Sequence, residues 1–176
     1  MEQDGREYYF ISFEQAAGML AAHQYIEANV YSGNIYGTSV AELEQAKTEG
    51  RIATGNIDVH GVAHYLALAP ESVRAVFLLP PSYDVWQERL RRRYKGSADE
   101  ADLALRMRTA REELRHALET AHYFFVINDD LDECIERVNA IAHGTVAEQR
   151  DRRTIAVAED ILRHLDADPR LGTLDD

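Results

Sequence analysis

The sequence predicts an α/β protein built around parallel strand-then-helix units. Two patterns carry that expectation. Three runs of strand formers, IATGNIDV (52–59), VRAVFLL (73–79) and YFFVIN (123–128), are each followed by a helical apolar period, and repetition of strand then helix builds parallel sheets. A serine or threonine also stands three residues before a glutamine or glutamate at Ser12, Ser39 and Thr145, each at the head of a helical pattern. That spacing lets the two residues satisfy each other's free donors at a helix start. In such folds functional groups collect at the carboxyl ends of the strands, where this chain has Asp58, Pro80-Pro81-Ser82 and Asn128-Asp129-Asp130.

Taken in order, Ser12 with Gln15 opens a helix over FEQAAGMLAAH. YIEANVYSGNIYGTS follows, rich in strand formers and interrupted at Ser32-Gly33-Asn34, which predicts a hairpin. Ser39 with Glu42 opens VAELEQAKTEG, and Gly50 suits its end, where a left-handed residue is needed. From Tyr83 to about Ala121 the pattern is of two helices joined at the polar hinge KGSADEAD. Gly144 suits the end of the helix after the third run. Thr145 with Glu148 then predicts a helix over 145–165, with Ile155, Ala158, Leu162 and Leu165 on one stripe. The tail DADPRLGTLDD reads as frayed, and no internal repeat is visible.

At 176 residues and 45% apolar content the chain has the length and apolar reserve of one domain. Its net charge of −12 argues against non-specific binding to nucleic acid or anionic membrane, which would repel it. Nine of the 19 basic residues nevertheless fall between Arg89 and Arg115, whereas residues 1–60 carry nine acids against three bases. Such an island suits a localised phosphate site; a solvated helix laced with i,i+4 ion pairs explains the same pattern. Cys134 stands alone, so neither a disulfide nor a cysteine-based metal site is available, and a reducing compartment fits. No run approaches the roughly 18 apolar residues of a membrane span, and MEQDGREYYF is no signal peptide; the cytoplasm is expected. His60 and His64 are spaced i,i+4, but with no third ligand in view no metal site is expected.

Lysine is nearly absent, Lys47 and Lys95 being the only two. A loop that cradles nucleotide phosphates needs G-x-x-x-x-G-K-[ST], so that backbone N–H groups surround the phosphates and an ammonium bridges them. Gly50 and Gly55 have the glycine spacing, but Asn56 and Ile57 follow. Neither lysine fills the post.

The succession YYF, IE, SGNIYGTS, IDVHG, FLLPPS, an arginine-rich helix, AREEL and NDDLDE resembles guanylate kinase, which moves the ATP γ-phosphoryl group to GMP. The resemblance runs from about Tyr8 to His143. It implies an α/β, P-loop kinase-like parallel sheet flanked by helices, with the first strand and P-loop missing. A small mixed α/β GMP-binding subdomain would span 1–50. The core would span 51–143 with a helical lid at about 90–108, and 144–176 would form a C-terminal helix and tail.

By the same resemblance Tyr8 and Tyr36 donate to the GMP phosphate, Glu27 and Thr38 read the guanine ring, and Asp58 contacts guanine and orders the site. A carboxylate suits guanine because it accepts from N1–H and the exocyclic amine together, a donor pair adenine lacks. Arg93 and Arg106 match the lid arginines that neutralise the transferring phosphoryl group. Arg111 is a further candidate on the ATP side, and Asn128 matches a residue near the adenine. ATP and Mg²⁺ are the co-substrate and metal the family uses.

Each residue alone has a structural explanation: Tyr8 and Tyr36 as half-buried strand aromatics, Glu27 as a surface charge, Asp58 as a helix cap, Asn128 as a turn former. Three positions depart from the family pattern: Arg92 stands for a glycine, Asn56 for a carboxylate and His60 for a glutamine. Three readings follow. The first is a guanylate kinase by descent, its N-terminal segment lost through truncation or a misplaced start, that keeps GMP recognition without turning over ATP alone; another chain could supply the missing P-loop strand. The second is a catalytically dead module that binds GMP or a protein partner. The third is a polyanion site on the arginine segment.

Overall fold

In the computed structural model, which describes residues 3–5, 8–31, 33–94, 100–146 and 150–172, Ser12 starts the first helix as its spacing requires. Ser12 Oγ accepts from Gln15 N at 3.1 Å and Gln15 Oε1 accepts from Ser12 N at 3.0 Å, closing the capping box that opens α1 (Phe13–Ala21). Next come β1 (Tyr25–Tyr31) and β2 (Asn34–Ser39), paired antiparallel as the hairpin expected from the sequence. Gly33 supplies φ +79° at its turn; Ser32 lies outside the described residues. The register sets Glu27 opposite Thr38 and Asn29 opposite Tyr36. Directly opposed residues share a face, as do residues two apart, so these four side chains belong to one face of the hairpin.

Gly37 is sterically required. A Cβ there would stand 2.6 Å from the Glu27 carbonyl oxygen and 2.7 Å from Tyr25 Cδ1, beside the irregularity between Tyr25 and Glu27 in the pairing. Ser39 Oγ accepts from Glu42 N at 3.2 Å to start α2 (Val40–Thr48), and Gly50 follows that helix at φ +65°. The run 52–59 corrects the expectation of a strand. Residues 51–58 form an exposed or half-exposed loop without regular structure, and Val59 already belongs to α3 (Val59–Leu68). A strand exists only by pairing, and no strand among the described residues pairs with this segment. Together these elements form one compact unit, Met1–Pro70.

The second unit, Glu71–Asp176, contains β3 (Ala75–Leu79) and β4 (Tyr123–Ile127), parallel and in register from Ala75–Tyr123 to Leu79–Ile127. Among the described residues two parallel strand-helix units are therefore seen, not three. Each strand leads into a capped helix: Ser82 Oγ accepts from Val85 N at the head of α4 (Tyr83–Tyr94), and Asp130 Oδ1 from Glu133 N at the head of α6 (Leu131–Ala142). Between them runs α5 (Glu100–Glu119), which begins inside the predicted KGSADEAD hinge; Lys95–Asp99 lie outside the described residues. One side of the core joins Phe124, Val126, Cys134 and Ile141.

The last helix starts later than the Thr145 spacing suggests. Thr145 closes α6 instead, its N and Oγ1 both donating to Ala140 O; Glu148, its expected partner, lies outside the described residues. Asp151 caps α7 (Arg152–Asp166) by accepting from Arg153 N and Thr154 N. Its buried stripe is Thr154, Ala158, Ile161 and Leu165, so Ala158 and Leu165 are buried as predicted while Thr154 and Ile161 take the places of Ile155 and Leu162. The tail is not frayed through Gly172. Asp168 caps a short 3₁₀ turn (Pro169–Leu171), accepts from Tyr83 Oη at 2.7 Å and pairs with Arg170, while Leu171 is buried.

Candidate functional site

In the first unit Glu27, Asn29, Asp58, His60, Gly61 and His64 are among the residues lining an open cleft of about 360 Å³. Residues 25–29 of β1 line one side of it, Glu27 among them, and Asp58 reaches it because the loop before α3 ends there. Asp58 Oδ1 accepts from Gly61 N at 2.8 Å, so the cap anticipated for it is formed, and its Oδ2 accepts from Asn29 Nδ2 at 3.1 Å. The Glu27 carboxyl is held above its usual range by burial in the cleft and by the neighbouring Asp58 charge, with His64 opposing in part. A half-buried carboxylate shifted toward its neutral form, by burial first and by a neighbouring carboxylate second, is a candidate for a functional role. Between them the two residues present acceptors only, when ionised. A ligand with adjacent N–H donors suits such a wall.

Thr38, half-buried, sits across the register from Glu27, and Tyr36 is two residues before it on the same face. The Tyr8 ring meets the Tyr36 ring edge-on, centroids 5.8 Å apart. Asp4 fixes the segment bearing Tyr8: its Oδ1 accepts from Phe10 N at 2.7 Å, and Gly5 N donates to Tyr8 O at 2.8 Å. Tyr8 and Tyr36 remain 45% and 39% exposed, so both hydroxyls sit on rings open to solvent. The five residues singled out on the GMP side thus belong to one unit: Glu27 and Asp58 line the cleft, whereas Tyr36 and Thr38, on the hairpin face with Glu27, and Tyr8, against Tyr36, are not among its lining residues.

The residues assigned to the ATP side belong to the second unit. Arg93 is exposed in the last turn of α4, and the Arg106 guanidinium of α5 lies 4.9 Å over the ring of Tyr94, the residue next to Arg93. Arg106 is exposed as well. Arg111 differs from both: it is 4% exposed, and its Nε has no hydrogen-bond partner. Asn128 is half-buried at the carboxyl end of β4, its N donating to Leu79 O and its carbonyl accepting from Arg89 at 2.6 Å. Among the described residues no group of three or more His, Cys, Asp or Glu is arranged to hold a metal ion, and no helix is long and apolar enough to cross a membrane.

Two residues escaped the sequence reading. Asn29, which holds Asp58, is two positions from Glu27 on β1, and strand alternation alone puts it on the same face. Arg150 donates to Leu118 O and Thr120 O at the end of α5 and lies 5.6 Å over the Phe125 ring. No local spacing signals that contact, since it joins positions 30 residues apart.

Residues 1–144 match the family described as guanylate kinase. The chain is 36% identical to the guanylate kinase of Synechocystis over 78% of its own length and 69% of the relative's. It is 31% identical to that of Schizosaccharomyces pombe over 80% and 68%, and 33% identical to that of Nitrosospira multiformis over 93% and 71%. The crystal structure of a guanylate kinase from Anaplasma phagocytophilum superposes with a TM-score of 0.61 at 23% identity, over 97% of this chain and 78% of the other. That likeness extends to the α/β, P-loop kinase-like fold.

Proposed function

The chain belongs to the guanylate kinase family, and from that premise we propose that its first unit binds GMP, while these 176 residues alone do not turn over ATP. The observation that carries the first half is the convergence of Glu27 and Asp58 on one cleft, with Thr38 and Tyr36 on the same hairpin face and Tyr8 against Tyr36. Glu27 accepts from guanine N1–H and the exocyclic amine; Thr38 and Asp58 complete the reading of the ring; Tyr8 and Tyr36 donate to the phosphate. Adenine offers no adjacent donor pair to Glu27, so AMP leaves that carboxylate desolvated and unpaired, the stronger form of discrimination.

The second half rests on chemistry the residues do not assemble. Family membership implies ATP and Mg²⁺, but neither Lys47 nor Lys95 follows a glycine loop, and Asn56 stands where a carboxylate is usual. Arg111, buried as it is, does not offer an exposed guanidinium to ATP. These groups do not fit a self-contained Mg·ATP site, and no transfer step is derived through one. Arg93 and Arg106 are the guanidiniums we assign to the phosphoryl group should another polypeptide segment supply the phosphate loop and its strand. The chain acts in the cytoplasm under this proposal.

A second reading, a non-catalytic module that binds GMP or a protein partner, is favoured by the same lysine shortage. The two readings agree on GMP and differ on ATP. The test measures ADP release from Mg·ATP with GMP, beside a Glu27→Ala control, together with the melting temperature with and without GMP. The expected result is no turnover above the control and a GMP-dependent rise in melting temperature that Glu27→Ala lacks. Turnover above the control contradicts the second half of the proposal, and an unchanged melting temperature contradicts the first.

A further inference from the structure

The hairpin face that carries Glu27, Tyr36 and Thr38 carries a fourth polar residue, Asn29, to which the proposed chemistry gives no role. Its Nδ2 donates to Asp58 Oδ2 at 3.1 Å, a side-chain bond spanning 29 residues, while Asp58 Oδ1 accepts from Gly61 N at 2.8 Å. Two different elements therefore hold the two oxygens of one carboxylate: β1 holds Oδ2, and the first turn of α3 holds Oδ1. A capping aspartate held by one oxygen still rotates about its broad terminal torsion. The second bond removes that freedom, and each oxygen keeps a lone pair for another donor.

We infer that Asn29 is a positioning residue for base recognition, fixing the Asp58 carboxylate so that its remaining lone pairs meet an N–H of the bound guanine. The side-chain type fits the post. An amide donates without adding charge, whereas an arginine or lysine would neutralise Asp58 and an aspartate would repel it. The arrangement also matters more here than at an ordinary cap, because Asp58 shares its cleft with Glu27, and two acceptor groups discriminate between purines only when both are aimed. This inference rests on the reading of the first unit as a GMP site.

The test is a double-mutant cycle on the full chain, with GMP affinity measured by calorimetry for wild type, Asn29→Ala, Asp58→Asn and the double variant. Asp58→Asn keeps a good helix cap, so α3 persists while the carboxylate is lost. Asn29→Ala is expected to weaken GMP binding about tenfold, equivalent to about 1.4 kcal/mol, and to cause less than a twofold further loss in the Asp58→Asn background. A residue that merely braces the hairpin would cost the same in both backgrounds, and that result overturns the inference. Asn29→Asp, which sets a like charge beside Asp58, is expected to bind more weakly than Asn29→Ala. Wild-type affinity in either Asn29 variant also overturns it. Failure of the wild-type chain to bind GMP overturns the reading of the site itself and this inference with it.

Discussion

Burial and the Asp58 charge disfavour the ionised form of Glu27 in the free protein. Its pKa is raised in the folded state, chiefly by burial and then by Asp58, so whatever stability it contributes is fully present below the unfolded carboxylate pKa and is lost as pH rises through the folded value. Under the proposed reading, an N–H donor pair in the cleft would relieve that desolvation of the ionised side chain. Glu27→Gln is therefore expected to raise the melting temperature of the free protein by about 1–2 °C. The same change is expected to weaken GMP binding about tenfold to a hundredfold, the range for a hydrogen bond to a charged group. Thermal melts and calorimetry on the same preparation check the two signs together. Glu27, Tyr36 and Thr38 were singled out by the order and spacing of short motifs, and the strand pairing sets them on one face. Asn29 was not singled out, because nothing local marks it; only the pairing of two strands and the path of the following loop bring it to Asp58.

At the scale of elements, local signals succeeded where local bonds decide and failed where a partner decides. The Ser12, Ser39 and Asp58 caps and the Gly50 and Gly144 helix ends follow from side chains within a few residues of the backbone they serve. The run 52–59 contains strand formers but sits as a loop, because strand propensity describes fit to a neighbour more than an intrinsic preference. Thr145 misled for a related reason: two residues could cap a helix there, and Asp151 is the one that accepts from the first-turn N–H groups. Gly37 tests the hairpin directly. With the Glu27 carbonyl and the Tyr25 ring both inside 3 Å of a Cβ, Gly37→Ala is expected to destabilise the first unit by about 1–3 kcal/mol, the usual cost of forced overpacking. It is expected to remove GMP binding while the second unit keeps its amide protection. Hydrogen exchange resolved by segment checks both parts.

For the whole molecule, burial is divided unequally. Among the described residues the first unit buries only Ala16, Ala46 and Val59 as apolar side chains, whereas the second buries Leu79, Met107, Leu114, most of β4, and Ile141, Ile161 and Leu165. Local opening follows the thinner core. Amides of β1, β2 and α3 are expected to exchange faster than those of β3 and β4, and GMP is expected to slow the former without moving the latter. The second unit depends in turn on the C-terminal clamp. Arg170, foremost, with the Tyr83 hydroxyl holds Asp168 well below the usual carboxylate range, so its contribution is present above about pH 3.9 and is lost as pH falls through the lower folded value. Burial and then Asp168 push the Tyr83 hydroxyl up to about 12; its contribution is present below about pH 10 and is lost as pH rises toward 12. Asp168→Asn is expected to flatten the acid limb of a melting-temperature profile between about pH 2 and 5 relative to wild type.

A calorimetric titration of GMP into the 176-residue chain, with AMP as control, tests the proposed guanine recognition by the first unit most directly. Saturable binding of one GMP per chain, with no saturable heat from AMP, is the predicted result. Equal heats from the two nucleotides, or none from GMP, would contradict it, because the cleft formed by Glu27 and Asp58 would then not be reading a base.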